Sequence, residues 1–297
     1  MKYIVAVSGG VDSIVLLDML LNGHIELPEA EFVVAHFDHG IREDSAEDAK
    51  LVEELAQKYG LPFEVERVEL GSEVSEEQAR DERYKFLQKS RKKHEASHII
   101  TAHHQDDLVE TAIFNLARGT GWRGLASLKS TDGILRPLLH LNKDDLYAHS
   151  LRHGLNWNED VTNQDEKYSR NYVRRRLIPK ATISDPSFKK KMTDIISNVQ
   201  SLQLEIDSQI NDILELARID SASYVLSRHK LVMWPRIVSL EILRAIVLQL
   251  DSNWHPTTQQ LSLMLNFCKT SRPGKTYEVS RHVRIISTKT HLEFKKF

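Results

Sequence analysis

The sequence predicts an α/β fold: a doubly wound, mainly parallel sheet, followed by a smaller, mainly helical domain with a short C-terminal β element. Three observations lead to this prediction. Short β-branched and aromatic runs alternate with helix-spaced apolar residues in the first half of the chain. Near Asp185-Pro186 the alternation gives way to long amphipathic stripes, and strand-like runs return only near the end. We therefore predict two domains, residues 1–185 and 186–297.

Four strands and four helices are predicted in the first domain. Leu17, Leu20 and Leu21 recur at helix spacing after the first strand, and Ala112 and Leu116 do so after the fourth. In a parallel sheet of this kind, ligands bind beside the carboxyl ends of the strands. The predicted strands are residues 3–7, 32–36, 63–68 and 98–101.

Two amphipathic helices dominate the predicted second domain. Apolar residues recur in each helix every three or four positions, which is the period of one helix face. Short strands are predicted at residues 277–279, 283–287 and 292–294. The two stripes are Ile195, Val199, Leu202, Ile206, Ile210 and Ile213, and Leu240, Leu243, Ile246, Val247 and Leu250.

The composition excludes several classes of protein. Of the 297 residues, 41% are hydrophobic and 28% are charged, which is typical of a globular protein. No apolar run approaches the ~20 residues that cross a bilayer, so no membrane association is expected. A strand predicted from residue 3 leaves no room for a signal peptide, so we expect a cytoplasmic protein. The single cysteine, Cys268, excludes an intrachain disulfide and is predicted to be a core residue.

The first strand ends in a glycine-containing loop, Ser8-Gly9-Gly10-Val11-Asp12-Ser13, and a helix follows at once. Adjacent glycines let backbone N–H groups approach an anion closely, and the helix N-terminus offers further free N–H groups. The two serine hydroxyls can donate to phosphate oxygens, whereas Asp12 fits chiefly if Mg²⁺ links it to a nucleotide. The alternative is a plain strand-to-helix turn. The strand–loop–helix context favours a phosphate site.

A second glycine pattern is a decoy. Gly119-Thr120-Gly121-Trp122-Arg123-Gly124 matches the dinucleotide-binding fingerprint letter for letter. It follows a helix rather than a strand, so the context that the fingerprint requires is missing. We predict a helix C-terminus and loop there.

The segment Thr101-Ala102-His103-His104-Gln105-Asp106-Asp107 follows the fourth predicted strand, so its polar side chains are expected to face the phosphate loop. His103 and Asp107 are four residues apart and share a face if the helix has begun. Such a pair could ligate a metal ion, or orient and deprotonate an amine. Acids at a helix N-terminus also complement the helix dipole, which explains part of the pattern.

Positive charge is concentrated in residues 167–191, although the formal net charge of the chain is −2. This stretch holds nine Lys or Arg residues and one acid, Asp185. Such a run suits a partner that carries phosphates. By itself, however, it is more typical of a solvated helix face.

The Ser-Gly-Gly-x-Asp-Ser loop resembles that of the ATP pyrophosphatase (PP-loop) superfamily, and it has no Walker A lysine. The ordered set of motifs resembles the tRNA(Ile)-lysidine synthase family and covers most of the first domain. The matching blocks are residues 8–13; Phe37-Asp38-His39-Gly40-Ile41-Arg42; Glu77-Gln78-Ala79-Arg80-Asp81-Glu82-Arg83-Tyr84; residues 101–111; Leu116-Ala117-Arg118-Gly119; Arg136-Pro137-Leu138-Leu139; Trp157-Asn158-Glu159-Asp160-Val161-Thr162-Asn163; and Arg170-Asn171-Tyr172-Val173-Arg174.

The resemblance implies a PP-loop ATPase type of sheet and a particular reaction. ATP would adenylate the C2 oxygen of the wobble cytidine in the isoleucine tRNA with a CAU anticodon, releasing pyrophosphate. Free L-lysine would then attack C2 and expel AMP. His103 and Asp107 would contact or activate that lysine, Asp12 would hold Mg²⁺, and an imidazole with a near-neutral pKa could take the ammonium proton.

The resemblance also implies two sets of binding residues. The ATP set would comprise Ser8, Gly9, Gly10, Val11, Asp12, Ser13 and Arg118. The tRNA set would comprise Arg80, Arg83, Arg170, Asn171 and Arg174, because arginine pairs with phosphates and stacks on unstacked bases. With the family match, residues 167–191 become an expected RNA face, and the second domain is expected to bind tRNA as well.

Three rival functions differ in what they require. A tRNA thiolase of the same superfamily needs a cysteine pair, and Cys268 is alone. An amidating ligase acting on a small molecule would not need the basic stretch. A non-enzymatic nucleotide or RNA binder has little use for Asp12.

The extra C-terminal domain of longer family members is expected to be absent. A homodimer is compatible with the sequence, which does not give the oligomeric state.

Overall fold

The structure, a computed structural model, describes residues 1–40, 45–69, 71, 74–158 and 169–297. Parts of two motif blocks, residues 41–42 and 159–163, and Lys167 of the basic stretch lie outside the described residues. The chain divides into two compact units, Met1–Val199 and Gln200–Phe297. Among the described helices, none combines the length and the apolar character needed to cross a bilayer.

The first unit contains a five-stranded parallel sheet. The strand order β3-β2-β1-β4-β5 is that of a doubly wound sheet, in which strands are added first on one side of β1 and then on the other. The predicted α/β class is therefore confirmed. The strands are β1 (Lys2–Ala6), β2 (Glu31–Asp38), β3 (Phe63–Arg67), β4 (His98–Ile100) and β5 (Ile134–Leu135).

Helices cover both faces of this sheet, because alternate residues of a strand point to opposite sides. Val5 packs with Leu16 and Leu17 on one face, and Ile4 packs with Phe86 and Leu87 on the other. The helices of the unit are α1 (Val11–Leu21), α2 (Ser45–Lys58), α3 (Glu76–Lys93), α4 (Gln105–Ala117), α5 (Trp122–Leu125), α6 (Lys143–Arg152), α7 (Ser169–Tyr172) and α8 (Ile178–Ser184), with α9 (Phe188–Ala217) beginning there.

Two short segments complete the first unit. Pro137–His140 forms a 3₁₀ turn directly after β5. Val173–Leu177, which carries three consecutive arginines, forms a π-helical turn between α7 and α8. π-Helical turns occur often at functional sites.

The division between the units falls at Val199, inside α9, rather than at Asp185. The physical reason lies in the first turns of α9. Ile196 is fully buried against Leu108 and Ala112 of α4, and Met192 packs on the same cluster. The helix therefore starts as part of the first unit.

The second unit holds an antiparallel sheet of order β6-β7-β10-β9-β8 and three further helices. Its core includes Leu243, Val247, Phe294 and the fully buried Cys268, which confirms the predicted core position of that cysteine. The strands are β6 (Arg218–Asp220), β7 (Ser223–Ser227), β8 (Thr276–Glu278), β9 (Val283–Ser287) and β10 (His291–Lys296), and the helices are α10 (Arg228–Met233), α11 (Arg236–Leu250) and α12 (Thr258–Thr270).

Candidate active site

The glycine loop joins β1 to α1 at the carboxyl edge of the sheet. Gly9 has a φ of 93°, a conformation that favours glycine, and Gly10 is the N-cap of α1. Because Gly10 has no side chain, it cannot cap the first-turn N–H groups of the helix. The loop thus presents backbone donors and the positive end of the helix dipole at one place, as a phosphate site requires.

The two loop serines have different roles. The Ser13 hydroxyl is buried; it donates to the Gly10 carbonyl oxygen (2.9 Å) and accepts from the Ser8 N–H (3.0 Å). These bonds close the loop on itself. Ser8 is exposed, and its Oγ lies 3.2 Å from the Ser13 Oγ. Ser8 therefore offers the more accessible hydroxyl to a phosphate, while Ser13 fixes the shape of the loop.

Asp48 and Asn158 hold the back of the loop, and neither is among the residues predicted for the site. A Cβ on Gly9 would lie 3.3 Å from the Asp48 Cβ. The Asn158 side chain donates to Asp48 Oδ1 (2.8 Å), and its backbone N–H donates to the Gly9 carbonyl (3.1 Å). Asn158 belongs to one of the motif blocks, and that membership is the sequence signal that could have identified it as a site residue.

Asp12, in the first turn of α1, forms the centre of a charged cluster. The Lys143 ammonium donates to Asp12 Oδ1 at 2.6 Å, and His104 Nε2 lies 3.7 Å from Asp12 Oδ2. Burial by itself raises the pKa of Asp12, but His104 and Lys143 outweigh it and hold that pKa below its ordinary value. Asp12 is therefore an ionised carboxylate beside the phosphate loop.

His104, rather than His103, is the histidine that contacts Asp12. Its Nε2 also lies 3.5 Å from Asp107 Oδ2, and its Nδ1 lies 3.7 Å from Asp106 Oδ2. Burial lowers the pKa of His104, but the bond to Asp12 and the charges of Asp107 and Asp12 raise it overall. The adjacency of His103 and His104 hid this assignment, because sequence alone does not say which ring turns inward.

Cations surround the outer side of this cluster. Lys189 pairs with Asp106 Oδ1. Arg174 binds Glu110 with two hydrogen bonds of 2.6 and 2.8 Å and lies 3.4 Å from Asp107. Arg174 forms an ion pair with buried Glu110, so an RNA phosphate would have to compete with that pair, and the predicted tRNA contact of Arg174 stays a prediction. Within the described part of the 167–191 stretch, Lys189, Arg174 and Lys191 pair with acids.

His103 has a buried environment in which positive charge dominates. Its Nδ1 is 2.8 Å from the Thr101 hydroxyl. Burial first, and then the positive charges of Arg136, Arg80, Arg83 and Arg170, lower the pKa of His103 to about 2. The imidazole is therefore neutral at neutral pH and is a weak base in this state, which differs from the near-neutral pKa that proton transfer from lysine would favour. Its role toward lysine stays a prediction.

This environment predicts an acid-sensitive contribution to stability. The folded pKa of His103, about 2, lies below its ordinary value of 6.5, so below pH 6.5 the unfolded chain binds a proton that the folded chain does not. The contribution of His103 to the free energy of unfolding is fully present above pH 6.5 and decreases as the pH falls below 6.5. Between pH 6.5 and 5, at about 1.4 kcal/mol for each pH unit, His103 should remove up to about 2 kcal/mol.

Urea unfolding at pH 7.5 and pH 5 measures this contribution. We expect His103→Gln to lose less stability than the unmodified chain over this interval. His255→Gln, which changes an exposed histidine of the second unit, should behave as the unmodified chain does. An equal loss in all three proteins would contradict the assignment.

Three of the predicted tRNA-binding arginines influence the same imidazole. The charges of Arg80 and Arg83 of α3 and of Arg170 of α7 all lower the pKa of His103. The charge of Arg136, which lies in a motif block but has no predicted role, does the same. Arg80 also lies over the Tyr84 ring, 4.9 Å from its centre. Asn171 is half-buried on α7 beside Arg170. We refer to Arg80, Arg83, Arg136 and Arg170 as the arginine group.

Arg118 lies far from the phosphate loop. It is the C-cap of α4, and at 1.5 Å per residue this helix places it roughly 20 Å from the end that contacts Asp12. Its guanidinium and that of Arg170 lie over the Phe114 ring, at 5.3 and 5.8 Å. This position favours a role beside the arginine group over one at the nucleotide phosphates, and the predicted ATP contact stays a prediction.

The Gly119–Gly124 pattern follows the same helix end, where Gly119 has a φ of 71°, as expected of a helix C-terminus.

The residues at the loop fit a magnesium ion. Mg²⁺ in nucleotide sites takes one or two carboxylates, phosphate oxygens and water. Asp12 supplies an ionised, partly exposed carboxylate in the first turn of α1, directly beside the loop. When present, the ion would neutralise phosphate charge, and Lys143 and His104 would hold the carboxylate in place.

The fold and this site define an α/β phosphate-binding protein whose loop is not of the Walker type. The chain belongs to the PP-loop family: the PP-loop domain model matches residues 1–181. It is 34% identical over 219 residues to the tRNA(Ile)-lysidine synthase of Thermotoga sp. (strain RQ2), covering 71% of this chain and 53% of that protein. It is 37% identical over 217 residues to that of Thermosipho africanus, covering 71% and 51%. The chain thus spans about half the length of these relatives.

A solved structure supports the fold assignment. The U34-tRNA thiolase NcsA from Methanococcus maripaludis, solved with its [4Fe-4S] cluster, aligns with a TM-score of 0.56 at 15% identity, covering 68% of this chain and 72% of that one. At this identity the likeness concerns the fold alone. Cys268 is the single cysteine of this sequence, and burial raises its pKa to about 12, so this chain supplies no cysteine set for such a cluster.

Proposed function

We propose that this protein ligates free L-lysine to C2 of the wobble cytidine of the CAU-anticodon isoleucine tRNA, consuming ATP and producing lysidine, AMP and pyrophosphate. One observation carries the proposal. The phosphate loop and the Asp12–His104–Asp107 cluster lie at the carboxyl edge of one sheet, and the charges of the arginine group act on His103 beside that cluster, in a chain similar to proteins named for this reaction.

The first step would take place at the loop. The backbone N–H groups of Gly10 and the first turn of α1 would bind the β- and γ-phosphates, and Ser8 would donate its hydroxyl. Mg²⁺ on Asp12 would neutralise phosphate charge. The cytidine C2 oxygen would attack the α-phosphorus, and pyrophosphate would leave into the loop. Lys143, which now pairs with Asp12, is placed to contact the same phosphates.

The arginine group is suited to bring the cytidine to that phosphorus. Guanidinium groups bind phosphates bidentately and stack on bases that have left the helix stack. The charges of the group act on His103, which lies three residues beyond β4, and β4 is the strand next to β1. An anticodon loop held there would lie beside the nucleotide.

The acids of α4 are suited to receive the substrate lysine. The carboxylates in this cluster already accept ammonium groups, since Lys143 pairs with Asp12 and Lys189 pairs with Asp106. Asp107 bonds the N–H of His104 and lies 3.4 Å from Arg174, so a lysine ammonium there would replace or join that contact. Its ε-amine, once deprotonated, would attack C2, and AMP would leave with the original C2 oxygen.

The arginine group also suggests why the reaction would wait for tRNA. The positive charges of the arginines contribute to the low pKa of His103, second to burial. RNA phosphates bound to those arginines would offset their charge and raise the basicity of His103. A histidine that becomes a better base when RNA is present would then be available for the ammonium proton. We also propose that the protein is cytoplasmic, that its second unit binds tRNA and that it forms a homodimer.

Charge removal at two of the arginines should weaken tRNA binding. Arg80→Gln together with Arg83→Gln is expected to lower affinity for the tRNA about 10-fold or more, and to reduce the slope of log affinity against log salt by about 2. Lys85→Gln on the same helix, where Lys85 pairs with Glu82, is the matched control. Filter binding at several salt concentrations measures both quantities. An unchanged salt slope in the double variant would remove these arginines from the tRNA site.

Pyrophosphate release tests the proposed function as a whole. Purified protein is incubated with ATP and Mg²⁺, with lysine and the CAU-anticodon tRNA added separately or together. We expect pyrophosphate at the full rate only when tRNA and lysine are both present. Equal release without tRNA would show that the acceptor is a small molecule and would favour the amidating-ligase alternative.

A further inference from the structure

A second cluster of ligand-type side chains lies between α1 and α6, away from the phosphate loop. His149 Nε2 is 2.8 Å from Asp18 Oδ2, and His153 Nδ1 is 3.5 Å from the same oxygen. One donor atom from each residue lies within 4.8 Å of the others. Among the residues that the structure describes, no other group of this composition meets that condition.

The two histidines have the spacing of a chelating pair. His149 is in the last turn of α6 and His153 is the C-cap, so they are four residues apart and share one face. Their rings are stacked, with centres 4.1 Å apart and planes inclined by 11°. His24, which follows α1, lies edge-on to both rings with centres 5.5 and 5.6 Å away.

Asp18 is oriented toward these rings by a second contact. It is 6% exposed, and the Asn22 side chain donates to its Oδ1 at 2.9 Å. The other oxygen, Oδ2, is left to the two imidazoles. A ligand carboxylate held by a hydrogen bond on its remaining oxygen is the usual arrangement around protein-bound metals.

We propose that Asp18, His149 and His153 form a binding site for a divalent transition-metal ion of the Zn²⁺ class. Two imidazoles and a carboxylate suit zinc better than magnesium, which prefers oxygen ligands alone. Donors around tetrahedral zinc lie about 3.3 Å apart, so separations within 4.8 Å need only small side-chain adjustments. The fourth position would be open to water, because His24 lies beside the two rings but is not one of the residues whose donor atoms meet the 4.8 Å condition.

The site would brace the two helices that bear on the phosphate loop. Asp12 lies in the first turn of α1, beside the loop. It pairs with Lys143, which is the first residue of α6. Asp18 and His149 lie six residues further along their respective helices, a distance of about 9 Å. The ion would join the same two helices at their other ends. This inference does not depend on the proposed tRNA reaction.

Cobalt titration of the full chain tests the site. Metal is first removed with a chelator, and Co²⁺ is then added in the presence of excess Mg²⁺, which would occupy the proposed magnesium site at Asp12. The variants are His149→Gln with His153→Gln, Asn22→Ala, and the surface control His255→Gln. Tetrahedral Co²⁺ absorbs strongly in the visible range, and Zn²⁺ should displace it.

We expect one Co²⁺ per chain, displaced by Zn²⁺, and a thermal midpoint that rises with Zn²⁺. The double variant should bind at least about 100-fold more weakly and lose the thermal shift, and Asn22→Ala should bind about 10-fold more weakly. Because Asn22→Ala keeps every ligand, a weaker affinity in this variant would report the loss of the hydrogen bond that orients Asp18. No tetrahedral Co²⁺ signal in the unmodified chain, or unchanged affinity in the double variant, would overturn the proposal.

Discussion

Replacing Asp12 by asparagine is expected to lower the rate of AMP formation about 1000-fold, or about 4 kcal/mol in activation free energy. The substitution keeps the size of the side chain but removes the charge that would hold Mg²⁺ against the ATP phosphates. The affinity for tRNA should change no more than a few-fold, because the arginine group is built from other residues. Quenched-flow measurement of AMP and filter binding of tRNA provide the two readouts.

Two comparisons make this result specific. Asp132→Asn alters an exposed acid outside the cluster and should leave both readouts unchanged. If Asp12→Asn retains AMP formation within about 10-fold, Asp12 is not the magnesium ligand. If the variant loses its circular-dichroism spectrum, Asp12 serves the fold through Lys143 and His104 instead.

Replacing His104 is expected to have the next largest effect. His104→Gln should lower the rate of pyrophosphate release about 100-fold and raise the Mg²⁺ concentration needed for half the maximal rate. His104 lies between Asp12, Asp106 and Asp107 and offsets their mutual repulsion, so its loss would leave the Asp12 carboxylate misplaced. Steady-state rates measured against Mg²⁺ separate this positioning role from a loss of folding.

His103→Gln is the matched control, since it changes the neighbouring histidine. If His103 acts on the lysine, this variant should still release pyrophosphate from ATP and tRNA in the first turnover, but it should transfer lysine slowly. His104→Gln should be slow from the first step. A Mg²⁺ requirement that His104→Gln leaves unchanged would contradict the positioning role.

Much of the first unit follows from simple periodicity. β1 is buried on both faces, so it reads as a continuous apolar run, and the leucines of α1 repeat at helix spacing. β5 was missed because two residues, Ile134–Leu135, are too few to show a period. β6 was missed because all three of its residues are exposed and carry no apolar alternation.

The site was predictable where its residues are close in sequence. The loop from Ser8 to Ser13 is local, and parallel strands bring the segment after β4 beside it. Lys143 and Asp12 are 131 residues apart, and no sequence pattern links them. Which of His103 and His104 contacts Asp12 depends on which ring the start of α4 turns inward, and the distance of Arg118 from Asp12 depends on where that helix ends.

Mass spectrometry of the wobble nucleoside tests the central claim most directly. The CAU-anticodon isoleucine tRNA is incubated with the protein, ATP, Mg²⁺ and isotopically labelled lysine, and is then digested to nucleosides. We expect the wobble cytidine to be replaced by a nucleoside that carries the entire labelled lysine and lacks the C2 oxygen. Unmodified cytidine, in a reaction that nevertheless forms AMP and pyrophosphate, would contradict the account and assign the ATP chemistry to another acceptor.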